Sequence, residues 1–177
     1  MGAGELTRMF SQFGRHIRLK PSQLFTWDDA NAYNLIFLGA PPHNVSLFRL
    51  PLGRKLKFKP YGEEPRKQEG CVRNLQPEKG EDEFYCTSND GATNTEYALV
   101  TQSEGIDKGK IVLVAAGTTT FGTQATVDFI CDPERAPQIG RLLGVRSGDR
   151  LPPFDALIRC RIRSGAPVSA ELVLVKR

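Results

Sequence analysis

The stretch Gly117-Thr118-Thr119-Thr120-Phe121-Gly122 has residue types that can hold an anion. Its two glycines keep the spacing of the phosphate-gripping pattern GxxxxGK[ST], between an apolar run that reads as a strand and one that reads as a helix. A glycine-rich turn into a helix offers backbone N–H groups, and the helix dipole favours negative charge there. The next residues are Thr123-Gln124, so the lysine of the pattern is missing, and no strand ending in a magnesium-binding Asp stands out. Thr119 also breaks the dinucleotide pattern GxGxxG. Two readings remain. Gly117, Thr118, Thr119, Thr120, Gly122 and Thr123 hold a small polar or anionic ligand, or they make a tight turn whose threonines cap the helix.

A second loop, Gly39-Ala40-Pro41-Pro42-His43-Asn44, ends the most apolar run of the chain, Asn34–Leu38. If that strand lies parallel and adjacent to the one before Gly117, both loops share one carboxyl-end edge, where open α/β sheets place ligands. Gly39, Pro41, His43 and Asn44 are then ligand-facing, and His43 is a weak candidate acid/base. The plainer reading of His43 is a solvated loop histidine. Covalent catalysis has little support, because there is no GxSxG elbow and Cys131 has no base nearby in sequence. Cys71, Cys86, Cys131 and Cys160 show no CxxC spacing and no neighbouring histidines. Neither a metal nor a cofactor is expected.

Three segments alternate basic with apolar residues: His16–Lys20, Lys55–Lys59 and Arg159–Arg163. Alternation sets the bases on one strand face. Arg54, Lys55, Lys57, Lys59, Arg159, Arg161 and Arg163 are therefore weak candidates for nucleic-acid contacts. No aromatic residues interleave on the polar face, so solvated or edge strands explain the pattern as well.

Composition is that of an ordinary soluble domain: 177 residues, 40% hydrophobic, 25% charged, with a net charge of +4. Disorder, coiled coil and a transmembrane helix are excluded on those grounds. Residues 1–70 hold 11 Lys+Arg against 6 Asp+Glu, and residues 71–177 hold 13 against 14, so the excess is N-terminal. The first residues lack a secretory pattern, and Leu6 stands where a myristoylation site wants Ser or Thr. The expectation is a cytoplasmic protein with Cys71 and Cys86 reduced, though these two could pair.

The elements that must position these loops follow from period and punctuation. Helices are predicted over 5–13, from the cap Thr26, over 123–131 and over 134–143, with a helical turn over 44–50. Strands are predicted at 16–20, 34–39, 55–59, 97–101, 110–116, 155–163 and 170–176. The 34–39 strand is expected to be buried on both faces. Loops 103–109 and 164–167 suit hairpins, being too short for crossover helices. Residues 60–94 read as a loop-rich insertion with short strand-like pieces at 71–75 and 83–87. The expected architecture is one α/β domain over 1–177, a three-layer Rossmann-like sandwich with a mixed parallel/antiparallel sheet.

The linked motifs LFTWDDANAYNLIFLGAPPHN (24–44), TEYALVTQ (95–102) and KIVLVAAGTTTFGTQATVDFI (110–130) carry a resemblance. Over residues 15–177 the chain resembles a poorly characterised bacterial α/β, Rossmann-like domain often found C-terminal to winged-helix or other signalling modules. The resemblance carries no activity with it. It implies ligand positions at Gly39, Pro41, Asn44 and Gly117–Thr123, and a DNA-binding or signalling module on the same or another chain. The leading expectation is a non-enzymatic ligand-sensing or interaction domain of bacterial signal transduction. The alternatives are an enzyme acting on a phosphorylated or nucleotide-like substrate, and nucleic-acid binding through the basic strand faces.

Overall fold

A computed structural model describes residues 2–39, 55–59, 62–64, 70–146 and 148–177. In chain order the elements are α1 (Gly2–Gln12), a 3-10 turn at Ser22–Leu24, α2 (Trp27–Ala32), β1 (Leu35–Leu38), β2 (Leu56–Lys59), β3 (Cys71–Asn74) and β4 (Phe84–Cys86). There follow β5 (Ser88–Asn89), β6 (Asn94–Glu104), β7 (Ile111–Gly117), α3 (Thr120–Cys131), α4 (Pro137–Leu142), β8 (Phe154–Arg163) and β9 (Ala166–Lys176).

The main sheet has the order β1-β7-β6-β8-β9, with β5 paired to the start of β6. β1 runs parallel to β7, and the other pairings are antiparallel. The hairpin chemistry dictates much of this. Ser164 and Gly165 both have positive φ, 50° and 74°, which suits a two-residue turn matched to strand twist. Strict alternation along β6, β7 and β8 then sorts two apolar faces. Ala98, Val100, Ala156, Ile158 and Cys160 pack under Ala125 and Phe129 of α3. Leu99, Leu157 and Leu174 meet Leu56, Val72 and Tyr85 of a second, three-stranded sheet ordered β2-β3-β4.

The mixed α/β class and the mixed sheet are as expected. The Rossmann-like layering is not what the described residues form: the sheet is mostly antiparallel, because short hairpins reverse the chain where crossover helices would keep it parallel. The face away from α3 carries the small sheet, built from the strand-like pieces within 60–94 and from the basic-apolar strand Leu56–Lys59.

Other differences are local. Residues 16–20 form no strand; alternation defines a face but a strand needs a ladder partner, and Lys20 pairs instead with Asp29 at 2.5 Å. Among the described residues β1 pairs with β7 alone and only its Phe37 is buried, so it stands at the edge of the described sheet rather than buried on both faces. The expected 134–143 helix starts late, because the Asp132 carboxylate accepts from Glu134 N and Arg135 N and turns the chain first. Thr26 and Asp29 make the reciprocal capping box that the sequence indicates. The helical turn expected over 44–50 lies outside the described residues. Cys71 and Cys86, expected reduced, stand opposite each other on β3 and β4 and are joined in a disulfide.

Candidate functional site

The parallel pairing of β1 with β7 brings the two loop starts to one edge, as required for a shared site. Gly39 follows β1 with φ 101° and donates its N–H to Ala115 O at 3.0 Å, while Gly117 ends β7 next door. Pro41, His43 and Asn44 lie outside the described residues, as does Arg54.

At Gly117–Thr123 the Thr119 and Thr123 hydroxyls are turned on groups of the chain itself, while the buried Thr118 hydroxyl has no hydrogen-bond partner among the described residues. The Thr119 hydroxyl accepts from Phe121 N (3.1 Å) and Gly122 N (3.3 Å), and donates to Oε2 of the buried Glu96 at 2.5 Å. The Thr123 hydroxyl accepts from Gly117 N and donates to Thr119 O, both at 3.0 Å. Thr118 N donates to Tyr97 O at 3.2 Å. Thr120 is exposed. The glycine spacing has a steric cause: a Cβ on Gly117 would stand 2.4 Å from Gly122 C and Thr123 N, and one on Gly122 would stand 3.0 Å from the Glu96 carboxylate. β7 and α3 approach so closely there that only glycine fits. The helix dipole is met by a carboxylate of the chain itself. Cys160 sits opposite Glu96 on β8, and burial, with Glu96 beside it, pushes its thiol up to about 12. Such a thiol stays protonated and unreactive near neutral pH.

The basic residues do not gather on one surface. Lys57 is exposed on β2, whereas Lys59 is buried and its ammonium donates to Glu63 O. Arg159 of β8 pairs with Glu171 at 2.6 Å across the β8–β9 ladder. Arg161 and Arg163 are exposed farther along β8, and Lys55 starts β2 on the other sheet, where its N–H donates to Asp155 at 2.7 Å.

No family model, curated protein or solved structure matches this chain. The site must therefore be argued from geometry alone. Among the described residues no group of three or more His, Cys, Asp and Glu side chains could hold a metal ion, and no helix is long and apolar enough to cross a membrane.

The opposite edge of the sheet is different. A cavity of about 590 Å³ opens where β6 ends and β7 begins. That volume lies within the range of small-ligand sites, roughly 300–1,000 Å³. Its charged lining is Arg146, Arg150 and Arg177 against Glu104 and Asp149. Ile111, Leu143, Val145, Leu151 and Pro153 supply apolar wall. None of the three arginines has an ion-pair partner among the described residues. Gln102 fixes one wall by donating from Nε2 to Leu151 O (2.8 Å) and Pro152 O (3.3 Å). Ile111 and Gly117 are the two ends of β7. At about 3.3 Å per residue the two edges are roughly 20 Å apart, too far to share a small ligand.

Proposed function

We propose that the chain is a non-enzymatic ligand-binding domain that takes a small organic anion in the cavity at the β6–β7 edge. The observation that carries this reading is the lining itself, three arginines without ion-pair partners among the described residues, beside an apolar wall. A guanidinium matches a carboxylate or phosphate through paired N–H donors, and Ile111, Leu143 and Leu151 suit the apolar part of such a ligand. Binding is favoured over catalysis because the buried reactive groups are committed elsewhere. Glu96 accepts from Thr119, Asp155 accepts two backbone N–H groups and Thr101, and the Cys160 thiol is held protonated.

A role in signal transduction rests on the resemblance of residues 15–177 to bacterial signalling-associated domains. What supports a Rossmann-like origin is the single parallel pair β1–β7 followed by α3. The Cys71–Cys86 disulfide favours an oxidising compartment over the reducing cytoplasm.

The test is a thermal-shift screen of the disulfide-intact protein against carboxylates, phosphates, nucleotides and sugars. The expected result is an upward shift with organic anions that disappears in Arg150→Ala. A shift that survives Arg150→Ala and Arg146→Ala but is lost in Thr120→Ala would move the ligand to the Gly117–Thr123 edge. No shift with any anion would end the reading.

A further inference from the structure

The strand ends that frame the cavity also hold the small sheet in place. The end of β6 and the residues that flank β8 and β9 line the cavity, and one or two residues farther in each strand gives one residue to a polar clasp. β6 gives Ser103 to the cavity rim and Thr101 to the clasp; β8 is preceded by Pro153 and carries Asp155; β9 carries Lys176 and is followed by Arg177.

Asp155 is buried between the sheets. It accepts from Lys55 N (2.7 Å) and Leu56 N (3.2 Å) of the small sheet and from Thr101 Oγ1 (2.7 Å) of the main one. Lys176, also buried, reaches Glu78 at 2.8 Å and Glu81 at 2.6 Å in the connection between β3 and β4. Glu81 in turn accepts from Asn74 Nδ2 and Glu78 N, both at 2.9 Å. A buried carboxyl group and a buried amine depend on these partners for their hydrogen bonds, so the clasp is sensitive to small displacements of the strand ends. Gln102 holds the 151–152 wall of the cavity, but Arg150 and Arg177 have no ion-pair partner among the described residues.

We propose that occupancy of the cavity controls how firmly the three-stranded sheet docks on the main sheet. An anion gripped by Arg150 and Arg177 ties the segment before β8 to the end of β9, and so fixes Asp155 and Lys176 in the positions from which they hold β2 and the β3–β4 connection. Coupling is reciprocal, so a tighter clasp also means tighter anion binding. This inference rests on the cavity being the ligand site, and the experiment separates the two.

Amide hydrogen exchange is followed by NMR on the full chain, with and without citrate and inorganic phosphate as probes; binding is followed by calorimetry. The reporters are the Lys55 and Leu56 amides, which donate to Asp155. The control is Phe129 in α3, on the other face, which reads global opening. The expected result is that a probe slows Lys55 and Leu56 by at least about five-fold beyond any change at Phe129. Thr101→Val, which removes one clasp bond without changing charge, is expected to weaken probe binding several-fold. Lys176→Met serves as a second clasp variant should Thr101→Val fold poorly. Probe binding that is lost in Arg150→Ala yet leaves the Lys55 and Leu56 amides unchanged relative to Phe129 overturns the coupling and leaves the cavity as the site. No binding of either probe overturns the anion site and the coupling with it.

Discussion

The two edges of the main sheet use polar groups in opposite ways. At the Gly117–Thr123 edge the Thr119 and Thr123 hydroxyls and the N–H groups of Phe121 and Gly122 are bonded within the chain, with the Glu96 carboxyl accepting from Thr119. At the β6–β7 edge three arginines line a cavity without ion-pair partners. The small sheet spans this difference. Near the first edge its own strands β3 and β4 are joined covalently by Cys71–Cys86, and Gly70 packs so closely on Thr118 of the main sheet's turn that a Cβ there would approach to 2.9 Å. Near the second it is held by the Asp155 and Lys176 clasp. A motif that looks ligand-binding can be consumed by the fold, and the groups left over can stand elsewhere. Unspent hydrogen-bonding capacity is a better guide to a site than a glycine pattern.

The comparison breaks first at Gly117. Gly117→Ala puts a methyl carbon 2.4 Å from backbone atoms of α3, which cannot yield as a side chain would. The expected cost is about 3 kcal/mol, read by chemical denaturation. A variant as stable as the parent, with only ligand binding changed, would return this edge to the ligand. Reduction of Cys71–Cys86, whose sulfurs close a loop of 15 residues, is expected to cost a similar ~3 kcal/mol. It should act mainly on β3 and β4, and an unchanged denaturation midpoint under reductant would show the small sheet is carried by its apolar contacts alone. Thr119→Ala removes the cap of α3 and the donor to Glu96, and about 1–2 kcal/mol of destabilisation is expected in the same assay.

Much of this contrast was legible from residues, and the misses have physical reasons. The apolar runs at 34–38 and 110–116 predicted two strands, whose parallel pairing stood only as a condition, and the loop lengths predicted the two hairpins. The threonine cap was foreseen as one of two readings of GTTTFG. Glu96 could have been found, because it breaks the apolar face that Ala98 and Val100 continue at period two. The cavity could not, since its arginines stand at 146 and 150 in one loop and at 177, after the last strand, and nothing in the linear order joins the two segments. Among the basic strand residues, the partner of Arg159 lies across a ladder at Glu171, a pairing that linear order does not display.

A pH titration sharpens the comparison between the covalent and the ionic fastening. Burial alone would raise the Glu81 carboxyl, but the Glu78 N–H, Lys176 and Asn74 outweigh it and its pKa is lowered. A lowered carboxyl contributes stability above its unfolded pKa, and that contribution is lost as pH falls through the folded value. Burial would likewise lower Lys176, and Glu78 and Glu81 outweigh it to raise its pKa. That contribution is complete below the ordinary lysine range and is lost as pH rises through the folded value. Exchange at Lys55, Leu56 and Asn74 should therefore quicken at both acid and strongly alkaline pH before β3–β4 pairing at the disulfide does. Uniform quickening across the small sheet would mean that the clasp is not a separate unit.

The smallest expected effect on stability is the most telling. Arg150 is exposed and makes no ion pair among the described residues, so Arg150→Ala is expected to change folding stability by no more than about 0.5 kcal/mol. The contrast with Gly117→Ala then becomes a division of labour: one edge carries stability and the other carries binding. Arg150→Lys keeps the charge but loses the planar fork, so a ligand held by paired N–H donors should bind the lysine variant much more weakly than the parent. A ligand attracted only by net positive charge would bind both alike, with an affinity that falls as salt is raised. Titrating one organic anion into the parent, Arg150→Lys and Arg150→Ala at two salt concentrations separates these cases. Equal binding to all three leaves the cavity edge as inert as the turn edge, and the difference between them would then be one of packing alone.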